Sequence, residues 1–108
     1  MATGAAQSWL SVNDAGQYPQ SWTAAAPYLE RAAAEKQWEA SMNQVRKPLG
    51  NVLARRRKSA TETTTALGDH CVVIQYDTSF EHKESATETV TVMPEQDGQW
   101  KVAGYFIQ

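Results

Sequence analysis

Near the middle of this chain the spacing of its large apolar residues changes from the period of a helix to the period of a strand. Trp38, Met42, Val45 and Leu49 recur at intervals of four, three and four, which lines one face of a helix until "KPLG" breaks the pattern. From His70 the repeat is two. In "HCVVIQYDTSF" the residues Val72, Ile74, Tyr76, Thr78 and Phe80 share one face, and Cys71, Val73, Gln75, Asp77 and Ser79 share the other. When all helices precede all strands and the strands are joined by short turns, the arrangement favoured is an antiparallel meander with helices on one face. The fold class expected is therefore α+β.

Three N-terminal helices are expected. The first runs from Ala2 to Ala15, with Ala2, Ala5, Ala6, Trp9 and Leu10 on one side and Gly16 as its left-handed terminator. The second fits "QSWTAAAPYLERAA", where Pro27 must kink the helix or open a new turn. The third carries Trp38 and Met42. Four strands follow: about Val52 to Leu67, then "HCVVIQYDTSF", "ATETVTVM" and "QWKVAGYFIQ". In the last, strict alternation sets Trp100, Val102 and Phe106 opposite Lys101, Ala103, Tyr105 and Ile107. The Asp-Gly pair of "EQDGQ" marks a tight hairpin before it. The pentapeptide "SATET" occurs at 59–63 and again at 85–89, on the first and third strands. Two copies are too few for a solenoid, and alternating threonine suits a half-exposed strand.

At 108 residues the chain is one domain, 1–108, with a core of its own. No stretch approaches the roughly 20 apolar residues that span a bilayer. "MATGAAQSWL" has neither the basic start nor the apolar run of an export signal; the chain as written reads as cytoplasmic, and a processed mature form of an exported protein would look the same. Cys71 is the one cysteine, which excludes an internal disulfide and a multi-cysteine zinc site; within "CVVIQY" it reads as a small apolar filler. His70 and His82 sit at opposite ends of one strand, too far apart to share a metal ion. No cofactor is expected.

Net charge is −2, yet six of the ten basic residues lie between Arg46 and Lys58. A basic stretch at 55–58 can meet phosphate or nucleic acid. No recognition helix, RNA-binding strand signature or phosphate-cradling glycine loop accompanies it, so nucleic acid is the weakest of three readings.

The blocks "SWLSVNDAGQYPQSW", "QWEASMNQVRKPLGNVLAR" and "TETVTVMPEQDGQWKVAGYFI" resemble a family of small bacterial domains known as domain-of-unknown-function family 4019. The resemblance covers nearly the whole chain. It marks Trp9, Asp14, Gly16, Tyr18, Trp22, Trp38, Arg46, Pro48, Gly50, Arg55, Glu88, Trp100 and Tyr105, and its members often look exported. The final hairpin is also similar, more loosely, to the nuclear-transport-factor-2-like superfamily. That likeness implies a curved sheet wrapped around helices as a cone with a pocket, an architecture similar to ketosteroid isomerase and scytalone dehydratase. Neither resemblance implies a particular reaction.

Glu88 is the polar residue that constrains most, because it shares parity with Val90 and Val92 and so carries a carboxylate toward the core. Unpaired burial is costly. It either pairs with an arginine, Arg46 or Arg55, or its pKa rises and it becomes an acid or base. The structural pairing is the favoured reading, and Tyr76 on the neighbouring strand is the donor that would face Glu88 in isomerase-like chemistry. Asp14, where the first helix ends, is expected to bond to local backbone, with catalysis as its second reading. Trp9, Trp22, Trp38 and Trp100 are expected to face inward, as core first and pocket lining second.

These residues define three functions. The first is a binding or accessory domain whose pocket, between helices and sheet, is lined by Trp22, Trp38, Tyr76, Glu88, Arg46 and Arg55 and takes a small apolar or amphipathic ligand or a partner's peptide. The second is an acid-base enzyme of isomerase or dehydratase type using Glu88, Asp14 or Tyr76. The third is phosphate or nucleic-acid contact through 55–58. An outer sheet face of Val73, Met93, Ala103, Tyr105 and Ile107 is expected to be apolar and to support a homodimer.

Overall fold

The computed structural model describes residues 2–64 and 68–108. Four α-helices come first: α1 Ala2–Asp14, α2 Tyr18–Thr23, α3 Pro27–Ala32 and α4 Glu35–Val45, the last followed by a 3-10 turn at Lys47–Leu49. Four strands complete the chain: β1 Val52–Thr64, β2 His70–Phe80, β3 Lys83–Pro94 and β4 Trp100–Ile107. They form one antiparallel sheet in the order β1-β2-β3-β4. The α+β class stands, with four helices in place of the three expected.

Pro27 accounts for the extra helix. It occupies the first turn of α3, where a missing N–H costs nothing, and holds Ala26 in extended backbone at φ −66 and ψ 150. The segment read as one kinked helix is thus two short ones. The expected extension of β1 to Leu67 falls outside the described residues. The β3–β4 turn closes as its Asp-Gly pair predicts: Gly98 adopts φ +84, and its N–H donates to the Glu95 carbonyl at 2.9 Å.

Helix α1 lies across β2, β3 and β4. Ala6, Trp9 and Leu10 bury one stripe of it against Ile74, Val90, Val92 and Val102, and the even-numbered face of β2 is buried from Val72 to Phe80, as its period requires. Trp9 is the centre of this packing. Its ring lies 5.9 Å from that of Trp38 and 5.2 Å from that of Tyr105, and its Nε1 donates to the Ser21 carbonyl at 2.8 Å. Trp38 is buried, whereas Trp22 and Trp100 are half-buried. Val45, expected on the same inward stripe as Trp38, is exposed because α4 ends at that residue.

Strand β4 departs from strict alternation. Thr91 faces Gly104 but Val92 faces Val102, so Ala103 is an extra residue, a β-bulge. Beyond it the parity flips. Tyr105 now faces inward opposite Val90, and Phe106 turns outward and is exposed. The side assigned to Tyr105, Phe106 and Ile107 by period alone is therefore reversed. The expected outer apolar patch does not form as one surface: Tyr105 and Ile107 belong to the inner face, while Met93, Ala103 and Cys71 are buried beneath Ala26 of the α2–α3 link. Ala26 is held there by its N–H, which donates to the Val102 carbonyl at 2.7 Å. Val73 remains, half-buried.

Candidate functional site

Period two on β3 aims Glu88 at the interior, and the structure buries its side chain completely, at 0% exposure. Both carboxylate oxygens are saturated. Oε1 accepts from Arg55 Nε at 2.7 Å and from the Thr78 hydroxyl at 2.6 Å. Oε2 accepts from Arg55 Nη2 at 3.0 Å and from the Tyr105 hydroxyl. A carboxylate offers about four lone-pair sites, and four donors fill them.

Arg55, on the inner side of β1, reaches past Thr78 to Glu88 and upward to Asp14 at the end of α1. Its Nη1 donates to Asp14 Oδ2 at 2.7 Å and its Nη2 to Oδ1 at 3.1 Å. Asp14 also accepts from Arg46 Nη2 at 3.1 Å, and Arg46 Nη1 donates to the Gly50 carbonyl at 2.6 Å. The Arg46 guanidinium lies 4.6 Å above the Phe80 ring. A carboxylate at the negative end of a helix is unfavourable by itself; two arginines offset it. With two acids and two arginines the cluster is formally neutral, and it joins α1, the α4–β1 corner and the sheet.

Burial disfavours the charge on Arg55, but its hydrogen bonds to Asp14 and Glu88 outweigh that cost and hold its pKa above the ordinary arginine value. Burial likewise pushes the Tyr105 hydroxyl up, and the negative charge of Glu88 adds to the shift. The Cys71 thiol is raised mainly by burial, and secondarily by the charge of Asp69, which keeps it a thiol rather than a nucleophile.

Sequence reasoning gives Glu88 an arginine, Arg46 or Arg55, and in the structure it is Arg55; two other contacts differ from those considered. Asp14 does not bond to local backbone; it spends its carboxylate on Arg46 and Arg55. Tyr76 stands directly across from Glu88 on β2, yet the donor to Glu88 is Tyr105, which the bulge at Ala103 turns inward. The Tyr76 hydroxyl, Arg46 Nε and Asn13 Oδ1 are buried without a hydrogen-bond partner among the described residues. Thr78 was missed as a ligand of the carboxylate, although its place on the inward face of β2 was the available signal.

Of the described concavities one borders the cluster, at Arg55 and Thr78, and the others lie away from it. A groove of about 600 Å³ runs between α3 and the β3–β4 hairpin, lined by Tyr28, Arg31, Met93, Glu95 and Lys101 among others. A smaller hollow of about 310 Å³ lies near one end of the sheet and includes Arg55, Arg56, Asp77 and Ser85. Of the six expected lining residues, Arg55 alone borders one of these. Among the described residues no group of three acidic, histidine or cysteine side chains could hold a metal ion, and no helix is long and apolar enough to cross a membrane.

The model of a family described as protein of unknown function (DUF4019) matches residues 5–105. The chain belongs to that family. No curated protein matches it.

Proposed function

We propose that this member of the family is a non-catalytic binding or accessory domain. One observation carries the reading: Glu88, the carboxylate best placed for acid-base chemistry, has every lone pair taken by Arg55, Thr78 and Tyr105. A general base needs a free lone pair within reach of a substrate proton. Glu88 has no such lone pair, and it is fully buried. Its neighbours brace a helix against a sheet, which is what a rigid binding scaffold requires.

The ligand class is a small apolar or amphipathic molecule or a partner's peptide. For a small amphipath the groove beside α3 is the place with room, since Tyr28 and Met93 supply apolar wall and its border carries charge of both signs, Arg31 and Lys101 together with Asp69, Glu95 and Asp97. Sodium decanoate is a suitable probe. Titrated into isotopically labelled protein, it is expected to shift the amide signals of Tyr28, Arg31, Met93 and Lys101 saturably. Shifts spread over the whole surface, or none at all, would refute the small-ligand part of the reading. Turnover of any substrate that Glu88→Gln abolishes while the protein stays folded would refute its non-catalytic part.

A further inference from the structure

The two copies of "SATET" occupy unequal positions in the sheet. The copy at 85–89 lies in β3, between β2 and β4. The copy at 59–63 lies in β1, the sheet edge, with β2 on one side only. Nearly all of β1 is exposed, and α1 and α3 pack on β2, β3 and β4 instead. Among the described residues, Ala54–Thr64 makes no backbone hydrogen bond outside its ladder with β2. An edge strand of 13 residues is long for a protein that must avoid adventitious pairing.

Charge decides what fits this edge. Arg55 is committed to Glu88 and Asp14, which leaves Arg56, Arg57 and Lys58 exposed, with Glu62 the single acid on the strand. Arg56 reaches Asp77 only at 3.5 Å and is 84% exposed. The edge therefore carries three cations against one carboxylate, in a chain whose net charge is −2. Two β1 edges brought together would set six cations beside two carboxylates, and like charges across a strand pair repel. The bulge between Arg57 and Ser59 divides the ladder into two regular runs, Ala54–Arg57 and the longer Ser59–Thr64. The longer run is rich in threonine and free of proline, and the three cations stand at its beginning.

We propose that the free edge of β1 is a docking site for an extended, acidic peptide segment of a partner protein. The segment adds a fifth strand along Ser59–Thr64 and sets its carboxylates against Arg56, Arg57 and Lys58. This rests on the binding-domain reading and gives it a partner. A nucleic acid could use the cations but not the strand's unpaired N–H and C=O groups, which only another extended backbone matches.

The test uses the full chain and a fluorescent eight-residue peptide of alternating threonine and valine with two glutamates at one end, followed by anisotropy. Saturable binding is expected. It should weaken about tenfold when lysines replace the glutamates, or when Arg57→Glu and Lys58→Glu are combined in the protein. N-methylation of alternate peptide amides should abolish it, because it removes the ladder donors. Both substituted residues are exposed, and circular dichroism verifies that the double variant is folded. Three results would overturn the proposal: no binding of the acidic peptide, equal or tighter binding of oligothymidine, or a concentration-dependent dimer by sedimentation that the double variant abolishes. Decanoate titrated into the same preparation separates the two readings. If it still shifts Tyr28 while the peptide fails, the edge proposal falls alone; if both fail, the binding-domain reading falls with it.

Discussion

Arg55 and Glu88, 33 residues apart in the chain, meet inside the protein through two hydrogen bonds, Nε to Oε1 at 2.7 Å and Nη2 to Oε2 at 3.0 Å. The pair spans β1 and β3 across the strand between them, and its other contacts, Asp14 above and Thr78 and Tyr105 beside it, tie it to α1 and β4. Removing one member of a buried pair leaves the other charged and unsatisfied, which costs more than the pair itself is worth.

Glu88→Gln is therefore expected to destabilise the protein by about 3 kcal/mol. Arg56→Ala, which removes an exposed side chain from the neighbouring position, should cost less than about 0.5 kcal/mol. Urea denaturation of both variants checks the contrast, and equal midpoints would remove the structural role assigned to the cluster.

Ser21 is buried and satisfies two tryptophans. Its carbonyl accepts from Trp9 Nε1, and its hydroxyl accepts from Trp38 Nε1 at 2.9 Å while donating to the Tyr18 carbonyl at 2.8 Å. Ser21→Ala keeps the first bond and orphans the Trp38 N–H, at a cost of about 1 to 3 kcal/mol. Tryptophan fluorescence during chemical unfolding gives both the stability and the change around Trp38.

Alkaline stability should depend on Tyr105. Burial, and then the charge of Glu88, raise its folded pKa above the ordinary value of about 10. Below the unfolded pKa both states keep the proton and the stabilisation is complete. Above about pH 10 the unfolded chain releases the proton first, so stability falls as pH rises toward the folded pKa. Tyr105→Phe should lose about 2 kcal/mol at neutral pH, through the missing bond to a charged acceptor, and should then decline less steeply above about pH 10 than the unsubstituted protein. Parallel slopes would contradict the assignment; Tyr18 and Tyr76, raised mainly by burial, remain in both proteins.

Gly50 turns the chain from the 3-10 segment into β1 at φ 78 and ψ −157, a region open essentially to glycine. A Cβ there would stand 2.8 Å from Glu81 Oε1 and 3.0 Å from Glu81 Cβ. That oxygen accepts from the Asn51 N–H at 2.6 Å, and the Gly50 carbonyl holds Arg46. Gly50→Ala is expected to cost about 1 to 3 kcal/mol, measured by thermal melting, and to loosen Arg46 from Asp14.

Much of this fold is legible in the sequence because it follows from local periodicity. The inward set of β2, the inward direction of Glu88 and the hairpin at Asp97-Gly98 each depend on a few adjacent residues. So does the need of Glu88 for an arginine, which the cost of burying a lone carboxylate imposes. Pro27 announced a break without saying whether it would kink one helix or start another.

What the chain determined by itself is the order of helices and strands and the presence of a carboxylate among apolar neighbours, since side-chain spacing and burial cost act within a strand's own length. Which groups meet that carboxylate was decided only in three dimensions. A single extra residue at Ala103 turns Tyr105 inward in place of Phe106, and the meeting of the end of α1 with β1 and with the end of α4 gives Asp14 two arginines in place of its local backbone. Such choices depend on register and on the packing of distant segments, and no run of neighbouring residues encodes either one.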